Sequence, residues 1–293
     1  MRALTSAVDL EVVETRYRGH ATRLAGTALS GGYGLVLTLG GDGTVNEAVN
    51  GIVGAGTRGD VRLPAGRLPA LAALPGGNAN VFTRALGLPQ DPVDAAGQIL
   101  QALTGGRERS IGLGLANSRY FAFNAGLGLD AEVVRAVEGL RAHGRAVTPA
   151  LYLRMALRQY YRITDRRHPA LMLELDGQPP AGPLFIGIVS NTAPWTYLGR
   201  RPVHTNPRAG FDSGLDVFAL RRLRTLGIFL TLRQMLSGTG RQPRGSSILA
   251  LHDESELTLR SDRPVALQVD GEYVGEQEVV LFRSVPHALR VIA

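Results

Sequence analysis

The chain reads LTLGGDGTVNEAVNG from Leu37 to Gly51. The apolar residues that begin this stretch predict the end of a short buried strand. Three glycines between residues 40 and 43 then predict a tight turn, since glycine accepts close backbone contacts that other residues do not. A helix is predicted from Thr44 onward, and the unpaired amides at its start would attract an anion. The pattern therefore predicts a phosphate-binding turn.

Asp42 lies between these glycines, where its carboxylate could hold the Mg²⁺ that accompanies a nucleotide phosphate. An alternative interpretation is that Asp42 only caps the helix after the turn. The spacing matches neither a Walker loop nor a dinucleotide-binding GxGxxG loop. All 32 basic residues are arginine, which excludes the Walker lysine, the strand lysine of protein kinases and Schiff-base chemistry.

The segment GGDGTVNEAVNG, residues 40–51, resembles the nucleotide-binding motif of the diacylglycerol kinase catalytic domain family, which includes sphingosine, ceramide and bacterial multi-lipid kinases. NAD kinases and phosphofructokinases share the GGDGT core, but the continuation NEAVNG is similar to the lipid kinases. The resemblance implies ATP and Mg²⁺ as cofactors. It implies that the following residues contact the nucleotide: Thr15, Gly40, Gly41, Asp42, Gly43, Thr44, Val45, Asn46 and Asn78.

Three further segments extend the resemblance over most of the chain. Residues 74–89 (LPGGNANVFTRALGLP) resemble the family's second nucleotide loop, residues 121–133 (FAFNAGLGLDAEV) its crossover into a second domain, and residues 269–275 (VDGEYVG) its catalytic Asp-Gly-Glu motif. The resemblance implies that Glu272 is the base that accepts the proton of the lipid hydroxyl, and that Asp270 orients it or binds Mg²⁺. Without the family, the same residues predict an ordinary hairpin turn.

The chain departs from the family in two motifs. The family's second loop reads Gly-Thr-x-Asn-Asp, whereas here Asn78 replaces the threonine and Val81 replaces the acid. Asn78 can still donate and accept hydrogen bonds, so nucleotide binding is expected with altered contacts. The family's structural Mg²⁺ turn reads Asp/Asn-Asp-Gly-Leu, and here Ser213 occupies the usual ligand position, which leaves Asp212 as the acidic candidate.

A third departure lies at the amino terminus, which resembles the helix and strand that follow the family's first strand. A missing first strand is therefore expected, through a misassigned start or a shortened chain, with an exposed sheet edge as its consequence. A strand is predicted from Leu10 to Val13. Thr15 follows this strand at the position where a family threonine reaches the nucleotide, although a lone threonine there would otherwise be interpreted as a cap.

Composition limits the remaining functions. With 44% hydrophobic and 19% charged residues, the 293-residue chain is expected to fold and is long enough for two domains. No segment predicts a membrane span or a signal peptide. The absence of cysteine excludes disulfides and thiolate metal sites, and the six histidines show no metal-site spacing. The net charge is +7, but no nucleic-acid-binding motif accompanies it, so no nucleic-acid partner is expected.

Positive charge is concentrated between Leu151 and His168, which read LYLRMALRQYYRITDRRH. Arg154, Arg158, Arg162 and Arg166 recur every four residues and would form one stripe on a helix. The stripe predicts contact with anionic headgroups, although an ordinary solvated helix explains it as well. The lipid substrate is expected at the membrane surface, with the protein cytoplasmic and peripheral to the inner face of the membrane. A homodimer remains open.

The order of apolar segments predicts two domains. Residues 1–113 alternate strands near Leu10–Val13, Leu35–Leu39 and Leu71–Leu74 with helices after Thr44, Asn80 and Pro92, which is typical of a three-layer α/β nucleotide-binding domain. Residues 114–293 predict an antiparallel β-sandwich, and the last few residues could return to the first domain. Its predicted strands are Ala170–Leu175, Leu184–Ser190, Leu215–Leu220, Glu256–Arg260, Val265–Val269 and Glu278–Phe282. The active site is expected between the domains.

The leading hypothesis is an ATP-dependent lipid kinase that transfers the γ-phosphate to the hydroxyl of diacylglycerol or a related lipid alcohol and forms phosphatidic acid. A second hypothesis is a kinase for a sphingoid base or another long-chain alcohol, because the lipid-facing residues carry no readable code. The third is a nucleotide-binding protein without catalytic activity. Three departures from the family motivate it: the altered second loop, Ser213 and the missing first strand.

Overall fold

The structure of the protein is a computed structural model. It describes residues 8–55, 57–58, 61–62, 65–142, 151, 154–155, 158 and 168–293. The predicted arginine stripe lies partly outside these residues, which include Arg154 and Arg158 but not Arg162 or Arg166. The chain divides into two compact units. The first comprises Met1–Leu113 with Pro286–Ala293, and the second comprises Gly114–Val285.

The first unit alternates helices and strands. Its helices are α1 (His20–Ala28), α2 (Asp42–Ala55), α3 (Val81–Ala85) and α4 (Pro92–Thr104), and a 3-10 turn spans Ala65–Arg67. Its strands are β1 (Leu35–Gly40), β2 (Thr57–Arg58), β3 (Val61–Arg62) and β4 (Ala70–Pro75). The start of α4 is encoded locally, because the Asp91 carboxylate accepts hydrogen bonds from the amides of Val93 and Asp94 and Pro92 occupies the first turn.

Strands β1 and β4 pair in parallel, from Leu35 opposite Ala70 to Gly40 opposite Pro75. Every residue of β4 is buried, as expected for an inner strand of a parallel sheet. Because parallel strands end at the same edge of a sheet, the glycine loops that follow β1 and β4 emerge side by side. This edge carries the candidate nucleotide site.

The second unit consists mainly of strands. The remaining strands are β5 (Arg109–Ala116), β6 (Arg119–Phe121), β7 (Asn124–Gly128), β8 (Leu171–Glu174), β9 (Ala181–Leu184), β10 (Ile186–Ser190), β11 (Thr196–Leu198), β12 (Arg201–Val203), β13 (Leu215–Leu220), β14 (Ile248–Glu254), β15 (Glu256–Val269) and β16 (Glu272–Val291). Helix α5 spans Leu129–Ala142 and helix α6 spans Thr225–Met235. Strand β16 begins in the second unit and ends in the first, where Val291 pairs in parallel with Leu71 of β4.

Antiparallel pairing joins the strands of the second unit in the order β16, β15, β7, β10, β13 and β14, and β8 extends from β15. Phe121 and Phe282 meet edge to face in its core, with ring centroids 6.2 Å apart. Two of the predicted strands form the single strand β15, interrupted by a register shift between Arg260 and Val265. The predicted fold class, an α/β part followed by a strand-rich antiparallel part, is confirmed.

The strand predicted at Leu10–Val13 is wrong, because these residues have no regular secondary structure. Val12 and Val13 are exposed, and Leu10 packs against the apolar cluster of β4 and α4. A strand needs a neighbour that satisfies its backbone groups. Among the described residues β1 pairs with β4 and not with Leu10–Val13, so the predicted strand has no partner in the sheet. The helix predicted from Thr44 begins two residues earlier, at Asp42.

Gly51 lies where α1 and α2 pack together. A Cβ atom at Gly51 would lie 2.3 Å from the Thr22 carbonyl oxygen and 2.8 Å from the Ala25 Cβ. We expect Gly51→Ala to force the two helices apart and lower the free energy of unfolding by about 1–3 kcal/mol.

Gly54 provides the matched control, because it lies in the same helix with open space around its Cβ position. Gly54→Ala should raise the free energy of unfolding by about 0.5–1 kcal/mol through helix propensity alone. Calorimetric unfolding of both variants measures the effect. Shifts of the same sign and size in the two variants would contradict the packing argument.

Candidate functional site

The first glycine loop joins β1 to α2. The Gly41 carbonyl accepts hydrogen bonds from the amides of Thr44 (3.0 Å) and Val45 (3.2 Å), so helical bonding begins within the loop. A Cβ atom at Gly40 would lie 2.8 Å from the Thr44 hydroxyl oxygen. Glycine is therefore needed at position 40 for the strand to turn directly into the helix.

The second glycine loop packs directly on the first. The Gly76 amide donates a hydrogen bond to the Gly40 carbonyl at 2.8 Å. A Cβ atom at Gly77 would lie 2.6 Å from the Gly41 Cα, and one at Gly76 would lie 3.0 Å from the Gly40 Cα. The absence of side chains lets the two backbones touch, so the loops form one continuous surface.

Asp42 ties the two loops together through its side chain. Its carboxylate oxygens accept hydrogen bonds from the amides of Val81 (3.0 Å) and Phe82 (3.1 Å), which begin helix α3. Burial raises the pKa of Asp42, and the two amides oppose this shift by favouring the ionised form. Asp42 is thus the amino-terminal cap of a helix 39 residues further along the chain. Its predicted role as a Mg²⁺ ligand stays a prediction.

Asn80 shapes the second loop. Its backbone is left-handed, with φ of 48°, and its side-chain amide donates to the Gly77 carbonyl and accepts from the Gly77 amide. Val81, which replaces the family's acid, is buried. Asn78 is exposed at the tip of the loop. The structure therefore leaves Asn78 accessible to a ligand in a loop whose shape is fixed by Asn80.

Three other residues predicted to contact the nucleotide lie outside the surface of the two loops. Val45 and Asn46 are buried within α2, so their side chains contribute to packing rather than to the loop surface. Thr15 is exposed in the irregular segment before α1. Glu47 is a second structural cap, because its carboxylate accepts hydrogen bonds from the amides of Gly19 (2.6 Å) and Ala21 (3.1 Å) at the start of α1.

In the second unit, Asp270 is buried and accepts three backbone hydrogen bonds. They come from the amides of Ala122 (2.7 Å), Phe123 (3.0 Å) and Asn124 (3.1 Å). Its own amide donates to the Asn124 carbonyl at 2.8 Å. The carboxylate therefore fixes the turn between β15 and β16 against the start of β7.

Glu272 follows this turn at the first position of β16. Its side chain is 18% exposed and forms an ion pair with Arg119, with 3.0 Å between Nη2 and Oε2. Gly271, which separates it from Asp270, has φ of 77° and accommodates the turn. Glu272 is therefore held in a defined position but remains accessible.

A buried polar network beside this turn was not predicted. The Gln268 side-chain amide donates to Asn124 Oδ1 and to Asp130 Oδ2, each at 2.9 Å, and its oxygen accepts the Gly271 amide at 2.9 Å. Burial raises the pKa of Asp130 to about 6. Asn124 and Asp130 stand in an otherwise apolar and glycine-rich segment, and that contrast in the sequence could have indicated them.

The turn predicted as a structural Mg²⁺ site is held by hydrogen bonds within the protein. Ser213 donates to the carbonyls of Gly210 and Gly214, and the Gly214 amide donates to Asp253 at 2.6 Å. Asp212 is exposed. Within the described ranges, no three His, Asp or Glu side chains are placed to share a metal ion. The assignment of Asp212 as a ligand stays a prediction.

Comparison with known proteins agrees with this architecture. Residues 2–114 match the family model of the diacylglycerol kinase catalytic domain. Diacylglycerol kinase of Staphylococcus carnosus (strain TM300) is 28% identical over 268 residues, which cover 89% of this chain and 78% of that protein. Diacylglycerol kinase of Staphylococcus aureus (strain JH9) is 28% identical over 264 residues, which cover 88% of this chain and 74% of that protein. The predicted resemblance is confirmed.

Solved structures from Bacillus anthracis strain Sterne share the fold. One superimposes with a TM-score of 0.72 at 22% identity and covers 99% of this chain and 88% of its own. Another, a diacylglycerol kinase, has a TM-score of 0.65 at 20% identity and covers 100% and 88%. At these identities the likeness concerns the fold alone.

Asp130 generates a pH prediction. An acid whose pKa is higher in the folded state, about 6 against 3.8, binds its proton more tightly when folded. The native protein should therefore lose stability as the pH rises from about 4 to 6. Asp130→Asn cannot ionise and should be more stable than the unmodified protein at pH 7 by roughly 1–3 kcal/mol, with a smaller difference near pH 4.

Chemical denaturation of both proteins across this pH range measures the difference. Asp176→Asn is the control, because Asp176 is an exposed carboxylate in a turn. Parallel pH profiles of stability for the unmodified protein and Asp130→Asn would show that the Asp130 carboxylate does not cause the loss of stability with rising pH.

Proposed function

We propose, from the diacylglycerol kinase catalytic domain that residues 2–114 match, that the protein is an ATP-dependent lipid kinase. It transfers the γ-phosphate of ATP to the hydroxyl of diacylglycerol or a related lipid alcohol. The observation that carries the proposal is the direct contact between the two glycine loops at one edge of the parallel sheet. Helix α2 begins there, and its amino terminus favours a polyphosphate.

The loops support nucleotide binding through backbone groups. Glycine at positions 40, 41, 76 and 77 keeps side chains away from the surface where phosphate oxygens would approach. No lysine is available to neutralise the phosphates, so arginine, helix amides and a metal ion must do so.

Mg²⁺ fits this donor set, because the ion is commonly held by one or two carboxylates together with phosphate oxygens and water. Asp42 is the carboxylate at the loop. Its two oxygens accept amides, and a carboxylate has about four acceptor positions in all. When bound, Mg²⁺ would neutralise charge on the transferred phosphoryl group. In this proposal Asp42 holds the second loop in place and offers a ligand to the ion.

Glu272 is proposed as the general base for the lipid hydroxyl. A lipid hydroxyl becomes acidic only as the bond to phosphorus forms, and a positioned carboxylate accepts that proton. Asp270 is proposed as a positioning residue, because its oxygens already accept three amides that fix the turn before Glu272. This assigns the orienting role to Asp270.

The lipid substrate is proposed to be reached at a membrane surface by a protein that is peripheral to the inner face of the membrane. No described helix has the length and apolar character to cross a bilayer. We propose neither a nucleic-acid partner nor an obligate homodimer.

The test is to incubate the purified protein with labelled ATP, Mg²⁺ and mixed micelles of diacylglycerol. Labelled phosphatidic acid would support the proposal. Product with a sphingoid base or another long-chain alcohol, but not with diacylglycerol, would keep the kinase and replace the substrate. Nucleotide binding without product from any of these lipids would favour the non-catalytic alternative.

Glu272→Gln should lower kcat by roughly 10²–10⁴-fold, because the amide cannot accept a proton. ATP affinity, measured by calorimetric titration, should remain within about twofold, since the uncharged isostere preserves the shape of the turn. Glu276→Gln is the control, because Glu276 is an exposed carboxylate in the same strand, paired with Arg135. Near-normal turnover by Glu272→Gln would refute the assignment.

A further inference from the structure

Helix α6 exposes a large apolar surface. Its exposed apolar side chains, with their exposed fractions, are Leu226 (70%), Phe229 (64%), Leu230 (45%) and Leu232 (43%). A helix of a water-soluble domain normally directs such residues toward the core. Clustered apolar side chains at the surface mark a site of interaction.

The geometry of α6 separates two apolar faces. Leu226, Phe229 and Leu230 follow the spacing i, i+3 and i+4, so they lie on one side of the helix. Met235 is buried, and Ile228 packs against the cluster formed by β10 and β13. The inward face therefore anchors α6 to the second unit, and the outward apolar face is additional to what folding requires.

The chain segment that contains α6 is basic. Between Asp216 and Asp253 the chain contains six arginines and no acidic residue. These arginines are Arg221, Arg222, Arg224, Arg233, Arg241 and Arg244, and all except Arg221 are strongly exposed.

Hydrogen bonds hold two basic residues beside the end of α6. The Arg244 amide donates to the Gln234 side-chain oxygen at 2.9 Å, and the Gln234 amide group donates to the Arg244 carbonyl at 3.0 Å. The Arg201 guanidinium donates to the Leu236 carbonyl through Nε at 2.9 Å. The Arg201 guanidinium and the backbone of Arg244 are thus held at the carboxyl-terminal end of α6.

We propose that the outward face of α6 docks on a bilayer that contains anionic phospholipid. Leu226, Phe229 and Leu230 would enter the boundary between headgroups and acyl chains, and the arginines would contact the anionic headgroups. This inference rests on the proposed function, since a kinase for a lipid alcohol must reach its substrate in a membrane. It goes further by naming the surface that makes the contact.

Charge distinguishes a membrane from a second copy of the chain as the occupant. A two-fold interface through α6 would bring the same arginines of both copies together, without an acidic residue in the segment to pair with them. An anionic bilayer complements both the apolar and the basic parts of the surface.

The test is flotation of the full chain with vesicles of phosphatidylcholine, with and without phosphatidylglycerol, in the absence of ATP. The unmodified protein should bind the anionic vesicles. The double variant Phe229→Ser with Leu230→Ser should bind them about tenfold to a hundredfold more weakly, because two large apolar side chains no longer enter the bilayer.

Val93→Ser is the matched control for this variant. Val93 is 78% exposed but lies on α4, far along the chain from α6 in the first unit, so the change should leave vesicle binding unaltered. Circular dichroism of the double variant should match the unmodified protein, since both substituted side chains already face water.

A second variant tests the charge. The triple variant Arg222→Gln, Arg224→Gln and Arg233→Gln should bind anionic vesicles roughly fivefold or more weakly per arginine, and should lose the preference for phosphatidylglycerol. Unchanged binding by both multiple variants would overturn the proposal. So would sedimentation that shows a dimer for the unmodified protein and a monomer for the apolar variant, with vesicle binding equal in both.

Failure of the proposed function gives a different result. If the protein lacked lipid kinase activity, vesicle binding would still depend on α6 while no lipid product formed. If the protein is a kinase, the α6 variants should lose activity on diacylglycerol in vesicles and keep it on short-chain diacylglycerol in detergent micelles. Equal losses on both substrates would contradict a docking role.

Discussion

The candidate nucleotide site depends on the contact between two pairs of glycines. A Cβ atom at Gly77 would lie 2.6 Å from the Gly41 Cα, and one at Gly76 would lie 3.0 Å from the Gly40 Cα, so neither position has room for a side chain. The parallel pairing of β1 and β4 brings both loops to one sheet edge, and the Gly76 amide completes the contact at the Gly40 carbonyl. A side chain at Gly76 or Gly77 would separate the loops and shift the second loop away from the start of α2, where phosphate is proposed to bind. The surface proposed to bind phosphate is therefore a consequence of backbone packing.

Carboxylates that accept backbone amides fix the glycine loops and also the turn before Glu272. Asp42 caps α3, Glu47 caps α1, and Asp270 accepts three amides before β7. In each case the acid is engaged with the backbone of a distant segment, and for Asp42 and Asp270 the sequence predicts a chemical role instead. Charge-assisted hydrogen bonds of this kind stabilise a loop strongly when they are shielded from water. Glu272 differs, because its partner is the side chain of Arg119 and it remains partly accessible.

The features that are encoded locally could be predicted from the sequence. The glycine turn after β1, the helix that follows it and the start of α4 at Pro92 depend on neighbouring residues. The capping role of Asp42 on α3 could not be predicted, because the amides it binds are 39 and 40 residues away. The strand predicted at Leu10–Val13 failed for the same reason, since apolar alternation does not reveal whether a neighbouring strand exists. The network around Gln268 also depends on contacts across more than 130 residues.

The positive charge that arginine supplies to this protein does not vary with pH in the physiological range. All 32 basic residues are arginine, and arginine stays charged throughout the physiological pH range. The chain contains no lysine or cysteine that could lose a proton near neutrality. Burial lowers the pKa of His204, which favours its uncharged form. The arginines around α6 therefore keep their attraction for anionic headgroups at any pH a cell experiences. Burial raises the pKa of Asp130 to about 6, and Asp130 lies beside the turn that carries Glu272, bound to Gln268. The pH dependence of the site and the constant charge of the surface are thus set by different residues.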